Sequence, residues 1–278
     1  MTDDFRIFTS LRYDPALVEV AHNDSFGHAG WNYLNASPFY MLDFHRDRML
    51  RAANHWKWEA AISVLTGDAG LQHLEEAILS SMSAEQKSSA AKVRTDISED
   101  GTITVNIALF PSTVAVLLTK FFPKSLPPPG TNSQEEVHPP KTPEYEVLVD
   151  KDGVNPSAYT HFKTTQRIMY DEARQRAGIT NPTMEKEVLI VDASDGTIME
   201  GSVSSPYFWR DGKWVTPSVS ENTKATWSGG QDGTSRRWAL ERGLVVEGKI
   251  LASSLVDGEE CWFSTGVRGF VFGKMKLR

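Results

Sequence analysis

The most informative stretch of this chain runs from His161 to Tyr170 and reads HFKTTQRIMY. Lys163 closes an extended segment, and the charged run 171–176, ended by Gly178, predicts a helix soon after it. A lysine held at such a junction can be desolvated, so that its pKa falls and its amine becomes a nucleophile toward a carbonyl carbon. The alternative is a solvated surface charge, which is the more common state of lysine.

The composition predicts a globular protein with a hydrophobic core. The chain has 278 residues, 40% of them hydrophobic and 23% charged, enough for one large domain or two medium ones. A net charge of −7 without a basic stripe argues against nucleic acid as a partner. We find neither a secretory signal at the N-terminus nor an apolar run near the ~20 residues of a membrane span, so we expect a cytoplasmic protein. Cys261 has no partner for a disulfide within the chain, and we expect it to be a buried thiol.

The first half of the chain predicts a lobe of mixed strands and helices. The residue patterns give a strand at 5–13, a long loop up to Pro38, helices at 39–58 and 70–82, and hairpin strands at 91–98 and 102–109. The proline-rich segment that follows marks a boundary, because proline fixes an extended backbone and removes a hydrogen-bond donor. We therefore expect a small α/β domain over 1–122, an interdomain loop over 123–143 and a larger domain over 144–278.

Three segments of the second half carry candidate binding groups. A strand at 187–191 precedes a meander that contains Glu200 and ends at Pro217. A glycine loop at 229–233 opens a helix, and free amides at a helix start favour an anion. A strand–turn–strand unit covers 259–270.

Five segments taken together resemble fold type IV enzymes that depend on pyridoxal 5'-phosphate (PLP), the class IV aminotransferase superfamily. The similarity is closest to fungal aminodeoxychorismate lyase-like and (R)-selective amine transaminase proteins. It rests on KTTQR after His161-Phe162, on His45 with Arg48, on Glu200-Gly201-Ser202, on the glycine loop, and on Ser264-Thr265-Gly266. Ser205 and Thr265 stand where asparagines are common in the family.

This resemblance implies an α+β fold of two lobes, the larger of which has a β-barrel-like sheet. It implies that Lys163 bonds the PLP aldehyde and acts as general base, that Glu200 bonds the pyridine nitrogen, and that Arg48 grips the phosphate. Further cofactor contacts are expected from hydroxyl side chains, namely Ser204, Thr234, Ser235, Ser264 and Thr265.

The substrate pocket is expected to be aromatic and polar. The candidate residues are His22, His28, Trp31, Arg94, Thr265 and Arg268. The two histidines have no carboxylate or cysteine at a ligand spacing, so we expect no metal. The expected partners are a small-molecule amine, a keto acid and a second copy of the chain in a homodimer, with no nucleic acid and no membrane.

Three functions are compatible with these residues. Aromatic pocket segments favour an (R)-selective amine transaminase that moves an amino group from an apolar or aryl amine to a keto acid such as pyruvate. The first alternative is 4-amino-4-deoxychorismate lyase, which forms p-aminobenzoate and pyruvate; such a substrate has two carboxylates and requires cations. The second is a catalytically idle protein that keeps the fold and binds the cofactor.

Overall fold

The computed structural model describes residues 5–111, 117–131, 138–181, 183–219 and 229–277. The chain forms two compact units, residues 1–118 with 162–166 and residues 119–161 with 167–278. The role of 123–143 as an interdomain loop stays a prediction, and its residues 132–137 lie outside the described part of the chain. The short segment 162–166, which contains the candidate lysine, thus belongs to the first unit although its flanks belong to the second.

The first unit contains a three-stranded antiparallel sheet in the order β1-β2-β3. Its elements are β1 (Ile7–Tyr13), α1 (Trp31–Leu34), α2 (Leu42–Trp56), α3 (Glu59–Leu65), α4 (Gly67–Ser80), α5 (Ala84–Lys87), β2 (Ala91–Ile97) and β3 (Ile103–Leu109). Alternate residues of the strands, such as Leu11 and Val93, point to one face and pack against Leu74 and Ile78 of α4. The predicted mixture of strands and helices in this lobe is confirmed.

The prediction of a long loop before Pro38 is wrong in part. Two 3-10 helices, Pro15–His22 and Asp24–Ala29, precede α1 there. Each begins at a side-chain cap, because an oxygen of Asp14 accepts from the amide of Ala16, and the Asn23 oxygen accepts from the residue after next. Such turns depend on single capping residues and leave no apolar periodicity in the sequence.

The helix predicted from residue 39 begins later than expected. Met41 has a left-handed backbone with φ of 53°, so α2 begins at Leu42 and ends at Trp56. An apolar pattern continues through such a residue without a break, which is why the boundary was predicted three residues too early.

The second unit contains an eight-stranded mixed sheet in the order β6-β5-β4-β11-β10-β7-β8-β9. Its elements are α6 (Leu118–Phe121), β4 (Tyr145–Val149), α7 (Ala158–His161), α8 (Ile168–Arg176), β5 (Lys186–Val191), β6 (Ile198–Gly201), β7 (Ser205–Arg210), β8 (Lys213–Pro217), α9 (Thr234–Glu241), β9 (Val246–Gly248), β10 (Glu260–Thr265) and β11 (Gly269–Met275). The helices expected after the lysine and after the glycine loop are therefore present as α8 and α9.

The two ends of this sheet are joined. The amide of Ile198 on β6 donates to Ile250 just after β9 at 2.8 Å, and the amide of Ala252 donates to Gly196 at 2.9 Å. The strand edges that a flat sheet would leave open are thus bonded to each other at this point. The expected α+β fold with a curled, barrel-like sheet in the larger lobe is confirmed.

Both faces of the sheet are buried, and alternate residues serve different cores. Leu189 packs inside the curled sheet with Phe208 and Phe263, whereas its neighbour Val188 packs outward against Tyr170 of α8. Cys261 is fully buried in the inner core, and burial raises its pKa well above the ordinary value, so the thiol stays protonated. No helix among the described residues is long and apolar enough to span a bilayer.

Candidate active site

The backbone around Lys163 forms an isolated antiparallel β-bridge to the edge strand β1 of the small sheet, with Thr164 opposite Ile7. The amide of Phe8 donates to the Lys163 carbonyl at 3.0 Å, and the amide of Thr165 donates to the Arg6 carbonyl at 2.9 Å. The amide of Arg6 donates in return to the Thr165 hydroxyl at 2.9 Å. The lysine thus sits on β1, a strand that belongs to the opposite end of the sequence.

An aromatic cluster anchors the residue before the lysine. The Phe162 ring lies 4.7 Å from the ring of His55 and 5.1 Å from Trp56, both in the last turn of α2, and Trp56 contacts Phe5 at 4.9 Å. Burial lowers the pKa of His55, so the ring is predominantly neutral at neutral pH. This cluster was not predicted, because the sequence does not indicate that Phe162 packs against the last turn of α2.

Arg48 belongs to a buried polar cluster in the same unit. Its Nη2 donates to Thr9 Oγ1 at 2.5 Å, and that hydroxyl lies 2.6 Å from His45 Nδ1. The pKa of His45 is well below its usual range, first because of burial and then because of the charges of Arg48 and Lys163. Arg48 Nη2 also approaches His45 Nδ1 at 3.5 Å as a donor, so this nitrogen is the acceptor of the neutral ring, and Thr9 accepts from the arginine and donates to the histidine. Lys163 and Arg48, two of the predicted cofactor residues, thus both lower the pKa of the same buried imidazole.

Arg94 lies on the same phenylalanine as the candidate lysine. The Lys163 Nζ lies 5.0 Å from the centre of the Phe8 ring, and the Arg94 guanidinium carbon lies 4.0 Å from it. Arg94 also forms two hydrogen bonds with Asp96 Oδ2 and Oδ1, from Nε at 2.9 Å and from Nη2 at 2.6 Å. The partly exposed Arg94 guanidinium and the Lys163 amine therefore share the Phe8 ring as a neighbour.

The other pocket candidates of the first unit occupy different places. His22 is exposed at the end of a 3-10 helix, and the His28 ring stacks on Phe26 at 6.1 Å. Trp31 packs against the core cluster that contains Leu11. Their part in substrate binding stays a prediction. Across the described ranges, no three His, Cys, Asp or Glu side chains form a group that could hold a metal ion.

Glu200 is a buried acid on β6 of the second unit, with 7% of its surface exposed. The Tyr170 hydroxyl donates to Glu200 Oε1 at 2.5 Å, and Gln231 Nε2 lies 3.5 Å from the same hydroxyl. Gly230 closes over the acid, because a Cβ atom at this position would lie 2.6 Å from the Glu200 carboxyl carbon. A buried carboxylate held in this way can accept a hydrogen bond from a protonated nitrogen.

We expect Gly230→Ala to destabilise the protein by about 1–3 kcal/mol, because the new methyl group overlaps the Glu200 carboxyl group and has to push it aside. Thermal unfolding measures the change. Gly27→Ala is the matched control, since an added Cβ there meets no atom within 4 Å. Equal melting temperatures for the two variants would show that the Glu200 carboxylate is not confined by Gly230.

A second buried acid, Glu187 on β5, holds the turn after Glu200. Its Oε1 accepts from the amide of Ser202 at 3.0 Å and from the Ser202 hydroxyl at 2.6 Å, and its Oε2 accepts from the Ser204 hydroxyl at 2.6 Å. The Ser204 hydroxyl, a predicted cofactor contact, therefore bonds a protein acid in this structure. Sequence reasoning missed Glu187; the signal was an acid directly before the apolar run 188–191.

The start of α9 has the features of an anion site. Thr234 and Ser235 are buried in its first turn, and among the described residues no side chain caps Gly233. Arg236 connects this first turn of α9 to the end of β8, because its Nη2 donates to the Pro217 carbonyl at 2.9 Å. The backbone amides and the helix dipole at such a helix start favour a bound anion such as a phosphate.

The last predicted segment forms the β10–β11 turn. Ser264 Oγ lies 2.5 Å from the hydroxyl of Tyr207, a buried tyrosine whose pKa is raised by burial. Thr265 Oγ1 accepts from the amides of Val267 and Arg268, at 3.2 and 2.8 Å, so this hydroxyl stabilises its own turn. The Arg268 charge acts on Tyr145 and opposes the rise that burial causes in the tyrosine pKa.

A comparison with protein-family models matches residues 30–274 to Amino-transferase class IV. The chain belongs to the class IV aminotransferase family. Members of this family depend on PLP. Within it, this class IV protein is 32% identical over 149 residues to aminodeoxychorismate lyase of Saccharomyces cerevisiae; the match covers 48% of this chain and 38% of the yeast protein.

Solved structures share the fold of this class IV protein. One is a putative amino-acid aminotransferase from Mesorhizobium loti, with a TM-score of 0.62 and 17% identity over 98% of this chain and 100% of the other. Another is a branched-chain amino acid aminotransferase from T.th. in complex with N-(5'-phosphopyridoxyl)-L-glutamate, with a TM-score of 0.60 and 14% identity over 97% and 76% of the two chains. The expected superfamily and the fold type IV architecture are thereby confirmed.

Proposed function

We propose that this class IV protein is a PLP-dependent enzyme and that its reaction is that of 4-amino-4-deoxychorismate lyase. The observation that carries the proposal is the placement of Lys163, whose backbone is bonded to β1 and whose amine lies 5.0 Å from the centre of the Phe8 ring. The identity to the yeast lyase supports the choice of reaction.

The donor groups fit PLP. An amine suits its aldehyde, and a buried carboxylate suits its ring nitrogen; Lys163 and Glu200 supply these groups. Arg48 and the α9 turn with Thr234 and Ser235 suit its phosphate. When bound, PLP supplies an electron-withdrawing ring that stabilises negative charge on the substrate carbon next to nitrogen.

The protein residues then have defined tasks. The Lys163 amine removes the proton from the ring carbon that carries the substrate amino group, which makes lysine the general base. Expulsion of the enolpyruvyl group and its protonation give pyruvate and leave p-aminobenzoate, so no other reactant is consumed. Arg94, which lies on the same Phe8 ring as Lys163, supplies a cation for a substrate carboxylate.

The second candidate is the (R)-selective amine transaminase. The Phe8 ring beside the Lys163 amine favours it, because an aromatic side chain next to the reactive nitrogen suits an aryl amine. In this reaction the same lysine would remove the proton from the substrate carbon, water would supply the oxygen of the released ketone, and the keto acid would take the amino group.

Product analysis of the purified protein, supplied with PLP, separates the two reactions. Under the lyase proposal, aminodeoxychorismate yields p-aminobenzoate and pyruvate in equal amounts, and (R)-1-phenylethylamine with pyruvate yields no acetophenone. Acetophenone from the (R)-amine, without product from aminodeoxychorismate, establishes the transaminase instead. The (S)-amine and the Lys163→Ala protein serve as controls. Failure of PLP to bind would overturn both candidates.

A further inference from the structure

Tyr170 is a buried tyrosine whose hydroxyl lies within hydrogen-bonding distance of three polar groups. It lies 2.5 Å from Glu200 Oε1 and 3.2 Å from the carbonyl oxygen of Thr160, while Gln231 Nε2 approaches it at 3.5 Å. A phenol has one proton to donate. The carboxylate is the closer acceptor and the one that bears charge, so the proton is directed to Glu200. Gln231 approaches the phenol oxygen as a donor, which leaves the phenol proton for an acceptor.

The phenol remains a donor over the whole working range of pH. Its pKa is raised well above the ordinary value, first by burial and then by the charge of Glu200 and the hydrogen bond to it. The ring cannot turn away, because Tyr170 is fully buried between α8 and the sheet with Val188 and Leu148. The guanidinium of Arg167 covers the ring at 4.4 Å.

A permanent donor has a defined effect on an acid. A hydrogen bond to the ionised form of a carboxyl group lowers its pKa, whereas burial of the group raises it. Glu200 is buried, so without a donor burial would favour its protonated form. A protonated acid has lost its negative charge, so its remaining acceptor oxygen would bind a protonated ring nitrogen more weakly than the carboxylate does.

We infer that Tyr170 is a positioning residue that fixes the orientation of the Glu200 carboxylate and keeps it ionised in its buried site. This inference deepens the proposed function and rests on it for the use of Glu200, but the interaction itself is a property of the protein without cofactor. The Tyr170 hydroxyl thereby donates a hydrogen bond to Glu200, and the acid remains ionised to bind a protonated nitrogen.

The test is a titration of the Glu200 carboxyl carbon by ¹³C NMR in the cofactor-free full chain, with the resonance assigned from its absence in Glu200→Gln. Tyr170→Phe keeps the buried ring and removes only the hydroxyl. We expect the Glu200 midpoint to rise by about one to two pH units in this variant, since a hydrogen bond to a charged group is lost. An unchanged midpoint would overturn the inference.

Tyr170→Phe tests the effect of the hydroxyl on Glu200 without changing the charged side chains around it. Arg167 just before α8, Arg174 on α8 and Glu187 on β5 are charged side chains that bond the turn after Glu200, and all are retained in Tyr170→Phe. Tyr13→Phe is the matched control, because that hydroxyl donates to the Lys87 carbonyl at 2.9 Å in the first unit. It should leave the Glu200 midpoint unchanged.

A second measurement applies if Tyr170→Phe does not fold. The short contact predicts a strongly downfield hydroxyl proton for Tyr170 in the unmodified protein, and Glu200→Gln should move it upfield. A hydroxyl resonance that Glu200→Gln leaves in place would overturn the inference. Because neither measurement uses PLP, a shifted midpoint in a protein that fails to bind PLP would support this inference and refute only the proposed function.

Discussion

Replacing Lys163 with alanine is expected to lower turnover by about 10³-fold or more, because the general base is lost together with the amine that holds the cofactor. The visible absorption band of the protein-bound cofactor should disappear in the same variant. The fold should persist, since β1 bonds the backbone of this residue through the amide of Phe8 and not the side chain. Steady-state kinetics and absorption spectra of the purified protein measure the two effects.

Lys92→Ala is the matched control for this experiment. Lys92 is an exposed lysine on β2 in the same unit, and its loss should change neither turnover nor the spectrum. A Lys163→Ala protein with normal turnover and a normal absorption band would refute the assignment of the reactive amine. Melting temperatures of the two variants exclude unfolding as the cause of a difference.

Replacing Glu200 with glutamine is expected to lower kcat by about 10²-fold or more while PLP still binds. The amide keeps the size of the side chain but removes the negative charge that a protonated ring nitrogen requires. The affinity for the phosphate should change little, since other residues supply that contact in our proposal. Kinetics at saturating PLP, with the PLP dissociation constant measured by titration, separate the two quantities.

Glu241→Gln is the matched control for Glu200→Gln, because it removes one negative charge at another position. It removes an exposed carboxylate from α9 of the same unit, where Glu241 pairs with Arg237 at 2.9 Å. Turnover of this variant should match that of the unmodified protein. If Glu200→Gln also turned over substrate at the normal rate, Glu200 would have no electrostatic part in the reaction.

The amino-acid sequence predicted the local features of the site. Short-range residue patterns predict three of these features. They are the extended segment at Lys163, a strand at Glu200 and the helix that follows the glycine loop at 229–233. The α+β fold and the superfamily followed from these motifs and are confirmed. The homodimer, the small-molecule partners and the roles of the individual site residues stay predictions.

Residues that act through distant partners could not be found in this way. Thr9 lies 39 positions before its partner Arg48, and Tyr170 lies 30 positions before Glu200. Periodicity indicates which face of an element is buried but does not say which polar group lies opposite. Glu187 was therefore interpreted as part of a buried strand, although its two oxygens accept the bonds that hold the turn after Glu200.

The β-bridge between the Lys163 segment and β1 has a consequence for folding during synthesis. Arg6 leaves the ribosome early, but Thr165, its partner in the pairing, is 159 residues further along the chain. Until translation has passed that point, one border of the first strand has no partner from this segment and requires protection from other nascent chains. Contacts between residues far apart in the sequence form slowly, so we expect Lys163 to reach its place beside β1 after the local hairpins have formed.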